Sequence, residues 1–227
     1  MDVESLYTNI DQEEGAEACF QFLQTRKNPS IPSTIIKKLI LLVLCSSVME
    51  FMGHFFHQIK CTAMGTPMGT PMAVNFANFF MSRFENKLLQ DYEKQTGLKP
   101  ALWQRFIDDI FLVWVGDEKG LKHFLTFCNN FHDTAGYFSK IKFTYSHSPK
   151  SVSFLDTLVT LEKNGVLSTN LYPKPTASHF YLHYSSYHNP HVIKSLPNSQ
   201  LMRIFRICTY KADYWKHAKA YINFFVE

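Results

Sequence analysis

Two adjacent acidic residues, Asp108 and Asp109, are the first candidates for chemistry in this sequence. They lie between two aromatic and β-branched runs, residues 103–107 and 110–115. Apolar runs on both sides of a short polar pair predict a β-hairpin with both acids in its tight turn. Because two neighbouring like charges repel, a divalent cation would stabilise the pair, and magnesium suits carboxylate and phosphate oxygens. A solvated turn is the alternative, since Asp is common in turns.

A third acid, Asp2, heads a short strand-like segment at residues 2–10 that also holds Tyr7. In one continuous strand, Asp2 and Tyr7 would lie on opposite faces. If the strand ends after the acid and a helix follows, Tyr7 comes to lie beneath whatever a metal holds. One acid from a first strand and two from a hairpin tip form the set that two-metal phosphoryl transfer requires.

These segments resemble reverse transcriptases, and among them the enzymes of Penelope-like retroelements. The similar motifs follow one another along nearly the whole chain. They are DVESLYTNI (2–10), MGTPMAVNFANFFM (68–81), FIDDIF (106–111), FLDTLV (154–159), LYPKPTASHFYL (171–182) and SQLMRIFRIC (199–208). The resemblance implies an α+β fold. It consists of a polymerase palm, an antiparallel sheet backed by helices, at residues 1–160, followed by a primer-grip hairpin and a mainly helical thumb-like region at residues 161–227.

The resemblance also implies RNA-directed DNA polymerase activity with two Mg²⁺ ions, for which Mn²⁺ can substitute. Asp2, Asp108 and Asp109 would hold the ions, with the backbone carbonyl oxygen of Val3 as an extra ligand. One ion would activate the primer 3′-hydroxyl and the other would clamp the triphosphate. Tyr7 would lie beneath the sugar and exclude a 2′-hydroxyl, unless it is simply a buried aromatic at a helix start.

Further nucleotide-binding candidates follow the first acid. The tetrapeptide MGTP occurs twice in tandem, and Gly65 or Gly69 would let the backbone approach the nascent base pair closely. A plain Gly/Pro loop before a helix is the alternative. Asn75 is a polar exception on the Phe and Met stripe of a predicted amphipathic helix, and a stripe of this kind is expected to belong to the core. Lys142 is a candidate to protonate the pyrophosphate leaving group, or else an exposed strand lysine.

The last quarter of the chain interleaves aromatic residues with basic or titratable ones, as a surface that follows a nucleic-acid backbone does. Lys174, His179, Arg203 and Arg206 are the candidates for this contact, with a solvated helix as the alternative. The implied partners are an RNA template, a DNA primer and deoxynucleoside triphosphates. The histidine spacings match no zinc pattern.

Composition sets wider bounds. With 227 residues, 46% of them hydrophobic, and a net charge of +4, the chain is globular and mildly basic. Five scattered cysteines without a CxxC pair fit a reducing compartment, and with the resemblance they predict an intracellular, nuclear location. The longest apolar stretch, residues 39–45, is far short of the roughly 20 residues that span a bilayer, so a buried helix and no membrane contact are expected.

Members of the family carry fingers ahead of the first acid, and this sequence begins one residue before it. We therefore expect a palm-and-thumb fragment. Two functions remain open: an RNA-directed DNA polymerase domain, or a catalytically inactive nucleic-acid-binding remnant of a retroelement. An unrelated metal-dependent phosphotransferase does not explain the downstream motifs.

Periodicity and turn chemistry predict the elements around these motifs. Helices are expected at residues 11–24, at 33–50 with an apolar stripe facing the core, from 75 to about 94, at 121–131 and from 199 onward. Hairpins are expected at 51–60 and at 152–172, the latter with one strand at 152–161 and another at 166–172, and a strand at 140–145.

Overall fold

The computed structural model describes residues 1–58, 71–132, 138, 140–175, 182 and 185–226. The chain divides into two units, Met1–Tyr145 and Ser146–Glu227. The first combines helices with an antiparallel sheet, and the second ends in helices, which confirms the predicted α+β fold class. Gly65, Gly69 and His179 lie outside the described residues, as does the first of the two MGTP copies.

The first unit contains five helices and six strands among its described residues. The helices are α1 (Leu6–Asn9), α2 (Gln12–Gln24), α3 (Ser33–Cys45), α4 (Pro71–Thr96) and α5 (Glu118–Asn130). The strands are β1 (Asp2–Val3), β2 (Val48–Phe51), β3 (His54–His57), β4 (Leu102–Phe106), β5 (Asp109–Val113) and β6 (Phe143–Thr144). Four strands form an antiparallel sheet in the order β4-β5-β1-β6, while β2 and β3 pair separately.

Helix α4 supplies the core of this unit. Three of its four phenylalanines recur every four residues, so they share one face of the helix. Phe76, Phe80 and Phe84 are at most 1% exposed, and they meet aromatic residues from other elements, as in the edge-on contact of Phe84 with Phe131 at 5.6 Å between ring centroids. The prediction that the Phe stripe belongs to the core is confirmed. Each fully buried ring contributes about 1.5–3 kcal/mol of burial free energy.

The helix at residues 11–24 is confirmed, because the Asp11 side chain caps α2 by accepting from the backbone N–H of Glu13 at 3.0 Å. The prediction for α3 is wrong at its C-terminal end, because the helix ends at Cys45 and β2 begins at Val48, where the sequence predicted continued helix. Its apolar stripe is only partly buried. Leu44 is buried and Ile40 packs against the core, whereas Leu39 and Val43 are 52% and 54% exposed.

Other boundaries also differ from the predictions. The first hairpin starts earlier, at Val48, and Gly53 occupies its turn with a left-handed φ of 75°. Helix α4 continues to Thr96. Helix α5 begins at Glu118, because the Asp117 carboxylate accepts from the backbone N–H of Gly120 at 2.8 Å and caps it. The predicted strand at 140–145 is reduced to β6.

The second unit contains three strands and two helices among its described residues. They are β7 (Ser151–Phe154), β8 (Thr157–Leu161), β9 (Leu167–Leu171), α6 (Pro190–Ile207) and α7 (Lys211–Val226). The strands form one antiparallel sheet in sequence order. The predicted strand at 152–161 is wrong, because a two-residue turn divides it into β7 and β8. The single helix expected from Ser199 is likewise two helices, whose contact with β9 buries Leu171, Ile204 and Tyr221.

None of the helices in the described ranges has the length and apolar character needed to cross a bilayer.

Candidate active site

Strand β1 brings the first acid of the chain beside the acidic pair. Asp2 is directly opposite Asp109 in the antiparallel pairing of β1 with β5. Directly opposed residues have Cα atoms about 4.5–5.5 Å apart and side chains on the same face of the sheet. The backbone carbonyl of Asp108 also accepts from the N–H of Val3 at 3.0 Å. All three carboxylates therefore lie at one end of two neighbouring strands.

The hairpin of β4 and β5 places the two acids differently. Phe106 pairs with Asp109, so the two-residue turn consists of Ile107 and Asp108. The expectation that both acids occupy the turn is wrong, since Asp109 is the first residue of β5. Ile107 has φ 55° and Asp108 has no positive φ, which is the pattern of a type II′ turn. A β-branched residue in the left-handed region is strained by about 1–3 kcal/mol.

The electrostatics of the site follow from this placement. Asp2 is exposed, but partial loss of hydration, followed by the charges of Asp108 and Asp109, raises the pKa of its carboxyl above the ordinary range. The negative charges of the neighbouring carboxylates disfavour ionisation of Asp2, so they raise its pKa. The acids therefore repel one another, and a bound cation would neutralise this repulsion.

The early end of β1 brings Tyr7 within range of the charge on Asp108. After Val3 the chain turns through Ser5, which has a left-handed φ of 48°, into the short helix α1. Tyr7 is half-buried on this helix. Burial, followed by the negative charge of Asp108, raises the pKa of the Tyr7 hydroxyl, so the phenol is within electrostatic reach of the hairpin tip.

The other nucleotide-binding candidates of the first unit lie on different elements. Asn75 is exposed on the first part of α4. Lys142 immediately precedes β6, and its backbone carbonyl accepts from the N–H of Glu4 at 2.9 Å. Its ammonium group donates to the backbone carbonyl of Asn129 at the end of α5. The roles assigned to these residues stay predictions.

The nucleic-acid-binding candidates belong to the second unit. Lys174 and Arg206 are exposed. Arg203 is also exposed and forms an ion pair with Asp156, which is in the turn between β7 and β8. Leu155, the other residue of that turn, has φ 56°, so this turn repeats the geometry of the acidic hairpin.

Sequence reasoning missed Arg105, which hydrogen-bonds to the acidic hairpin's own turn and to α4. The sequence held no clear signal for it, because Leu102 and Phe106 make the opposite face of β4 look apolar. In the structure, Trp103 and Arg105 are less exposed than the positions that alternate with them. A charged residue at such a position needs a partner, which Arg105 finds in this network.

No three His, Cys, Asp or Glu side chains within the described ranges form a group that could hold a metal ion by themselves. The donor chemistry still suits magnesium, which typically binds through one or two carboxylates while water and substrate phosphates complete its shell. A cation beside Asp2 would offset the charges of Asp108 and Asp109, which contribute to the raised pKa of its carboxyl. The residues fit an ion that they share with a substrate.

Comparison with protein-family models gives two matches. Residues 1–157 match the family described as reverse transcriptase (RNA-dependent DNA polymerase). Residues 180–227 match the animal helix-turn-helix domain. No curated protein and no solved structure matches the chain.

Residues 1–157, which combine helices with an antiparallel sheet and hold the three acids, match the reverse transcriptase type of domain. The chain belongs to the reverse transcriptase family, whose model spans more than half of it. Members of this family in general use a nucleic-acid template, nucleotide substrates and divalent metal ions.

Proposed function

We propose that the chain forms the palm and thumb of an RNA-directed DNA polymerase, which adds deoxynucleotides to a primer 3′-hydroxyl along an RNA template. The observation that carries this proposal is the pairing of Asp2 with Asp109 beside the turn that holds Asp108. The family match across residues 1–157 includes all three acids.

The chemistry proposed is two-metal nucleotidyl transfer. Two Mg²⁺ ions, or Mn²⁺ in their place, would supply charge neutralisation at the primer hydroxyl and the triphosphate. Asp2, Asp108 and Asp109 would hold them together with the carbonyl oxygen of Val3. Tyr7 would pack under the incoming sugar and exclude a 2′-hydroxyl, which is supported by its half-buried position near Asp108.

The remaining roles complete the proposal. Asn75, with Gly65 or Gly69, would contact the incoming nucleotide. Lys142 would protonate pyrophosphate only after releasing the Asn129 carbonyl that it now contacts. The candidates for holding the template–primer duplex are the cationic or titratable residues of the second unit: Lys174, His179, Arg203 and Arg206.

Membership of the Penelope-like group is also part of the proposal. Its support is the order of the motifs after the acidic hairpin, FLDTLV, LYPKPTASHFYL and SQLMRIFRIC, which continue the resemblance as far as Cys208. An intracellular, nuclear site of action is proposed on the same basis. The division into a palm at residues 1–160 and a thumb-like region at 161–227 is proposed from the same resemblance.

Primer extension on poly(rA)/oligo(dT) with MgCl₂ tests the polymerase directly. Asp108→Asn keeps the size of the side chain but removes the charge, so incorporation should fall at least about 10²-fold. Glu4→Gln is the matched control, because Glu4 is an exposed carboxylate two residues from Asp2 that is given no role in the site. Its incorporation rate should equal that of the unsubstituted protein.

Duplex binding is measured in parallel by fluorescence anisotropy. Incorporation that depends on Asp108 but not on Glu4 supports the polymerase. Binding of the duplex with no incorporation by the unsubstituted chain contradicts the polymerase and indicates a binding remnant instead.

A further inference from the structure

Arg105 is a largely buried cation on β4 that joins the acidic hairpin to α4. Its Nε donates to Glu85 Oε1 at 2.7 Å, and its Nη1 donates to Asn78 Oδ1 at 2.8 Å. The Arg105 and Glu85 side chains are 10% and 14% exposed. Glu85 and Asn78 are two turns apart on α4 and therefore share one face of that helix. A planar guanidinium makes these bonds in one fixed orientation.

The same guanidinium reaches the acidic turn. Arg105 Nη1 also donates to the backbone carbonyl oxygen of Ile107 at 2.9 Å. That carbonyl belongs to the peptide plane between Ile107 and Asp108, so holding it fixes the direction in which Asp108 leaves the turn. Ile107 has φ 55°, and a β-branched residue keeps this conformation only where its surroundings impose it.

We propose that Arg105 is a positioning residue for nucleotidyl transfer: anchored to α4 through Glu85 and Asn78, it holds the Ile107 carbonyl and so aims the Asp108 carboxylate at the metal. The inference rests on the proposed function. Arg105 touches neither substrate nor metal in this scheme and acts through the geometry of the turn.

If the pair of Arg105 with Glu85 were only an internal ion pair, a different result would be expected. Trp103 Nε1 donates to the same Glu85 oxygen at 2.8 Å, in the same network, but its indole N–H makes no contact with the turn. If the network only stabilises the fold, loss of either donor should affect the site alike. If Arg105 aims Asp108, only its loss should alter metal binding.

The experiment compares Arg105→Lys with Trp103→Phe in the full chain. Lysine keeps the charge opposite Glu85 but lacks the planar fork that reaches Ile107 at the same time. Mn²⁺ binding is measured by electron paramagnetic resonance, well below each variant's melting temperature, and kcat and KM for dTTP are measured by primer extension. Asp108→Asn defines the binding that belongs to the site.

Arg105→Lys should weaken Asp108-dependent Mn²⁺ binding about 10-fold and lower kcat by about 10- to 100-fold, as loss of an outer partner of a metal ligand does. Its KM for dTTP should stay within about threefold, because the residue makes no contact with the nucleotide in this scheme. Trp103→Phe should bind Mn²⁺ like the unsubstituted protein.

A second substitution keeps the inference falsifiable. Glycine adopts a left-handed φ without strain, so Ile107→Gly removes the need for an imposed turn. Arg105→Lys combined with Ile107→Gly should therefore recover most of the lost Mn²⁺ affinity.

Equal Mn²⁺ affinities of Arg105→Lys and the unsubstituted protein, or equal losses in Arg105→Lys and Trp103→Phe, would overturn the positioning role and leave the polymerase intact. Failure of the glycine combination to recover affinity would also count against it. If the unsubstituted protein binds no Mn²⁺ through Asp108 and incorporates no nucleotide, the proposed function and the inference both fail.

Discussion

At the scale of single residues, Asp2, which we propose as a metal ligand, carries a cost to the fold. Its pKa is raised from the ordinary value of 3.8, so the protonated form is favoured in the folded state. The sign follows from linkage. The raised pKa of Asp2 favours folding most at a pH below the pKa that Asp2 has in the unfolded chain. This contribution to stability is lost as the pH rises through the higher pKa of Asp2 in the folded state. At neutral pH the ionised Asp2 therefore destabilises the metal-free protein.

Asp2→Asn should accordingly raise the free energy of unfolding at pH 7 without metal. Because Asp2 is exposed, we expect a gain of less than about 1 kcal/mol. Urea unfolding followed by circular dichroism measures it, and the difference from the unsubstituted protein should shrink as the pH approaches 4.

Divalent ions provide the control for this assignment. MgCl₂ should stabilise the unsubstituted protein at pH 7 and have little effect on Asp2→Asn, because a ligand that binds only the folded state stabilises it. A variant that is less stable than the unsubstituted protein at pH 7 would contradict the raised pKa.

At the scale of elements, the close approach of α2 and α4 is set by a glycine. A Cβ built on Gly15 would lie 2.1 Å from Cζ of the buried Phe76 ring. Gly15→Ala should therefore destabilise the protein by up to about 2 kcal/mol. Overpacking costs about 1–3 kcal/mol, and the better helix propensity of alanine offsets about 1 kcal/mol. Urea unfolding with a constant m-value measures the difference.

A double-mutant cycle identifies the cause. In a Phe76→Leu background the ring is gone, so Gly15→Ala should cost little more or even stabilise. An unchanged cost in that background would mean that the clash with Phe76 is not the reason.

Some of the elements could be predicted from the sequence, and others could not. The acidic hairpin, the capped helix α2 and the Phe face of α4 follow from local rules that the structure obeys. The division of residues 152–161 into two strands does not, because its turn places Leu155 in a left-handed conformation, with φ 56°, that normally signals glycine. Ile107 also has a left-handed φ where no glycine signals it, so the exact position of the acidic turn could not be predicted.

Tertiary contacts account for the other differences. The apolar stripe of α3 has the period of a core helix, but burial depends on which neighbours exist, and Leu39 and Val43 remain exposed. The break between α6 and α7 at residues 208–210 contains no Gly or Pro to mark it. At the site, the acids were visible as a pattern of types, whereas the bonds of Arg105 to Asn78 and Glu85 join positions about 20 or more apart in sequence.

At the scale of the whole molecule, charge is divided unequally between the two units. Residues 146–227 contain nine Lys and Arg and four Asp and Glu, a net charge of +5, which leaves −1 for residues 1–145 of the total of +4. The modest overall charge therefore conceals a basic second unit. A surface that binds a phosphate backbone needs this local excess, because phosphate neutralisation dominates affinity.

The helix pair α6–α7 carries much of this excess. Only three residues, 208–210, separate the two helices, the spacing of a helix-turn-helix motif. On α7, Lys211, Lys216 and Lys219 are exposed and surround Trp215, which is 57% exposed. The buried residues of the same helix, Ala218 and Tyr221, lie on a different face from Lys216 and Lys219.

Charge removal on α7 should therefore weaken duplex binding through its salt dependence. Each lysine that neutralises a phosphate adds about 0.9 to the slope of log affinity against log salt concentration. Lys216→Gln combined with Lys219→Gln should lower that slope by about 1.8 for an RNA–DNA hybrid of about 20 base pairs, measured by fluorescence anisotropy between 50 and 300 mM KCl. Lys163→Gln, on the turn between β8 and β9, is the matched control and should leave the slope unchanged. Equal slopes for the double variant and the unsubstituted protein would show that the excess charge of the second unit binds something other than the duplex at this face.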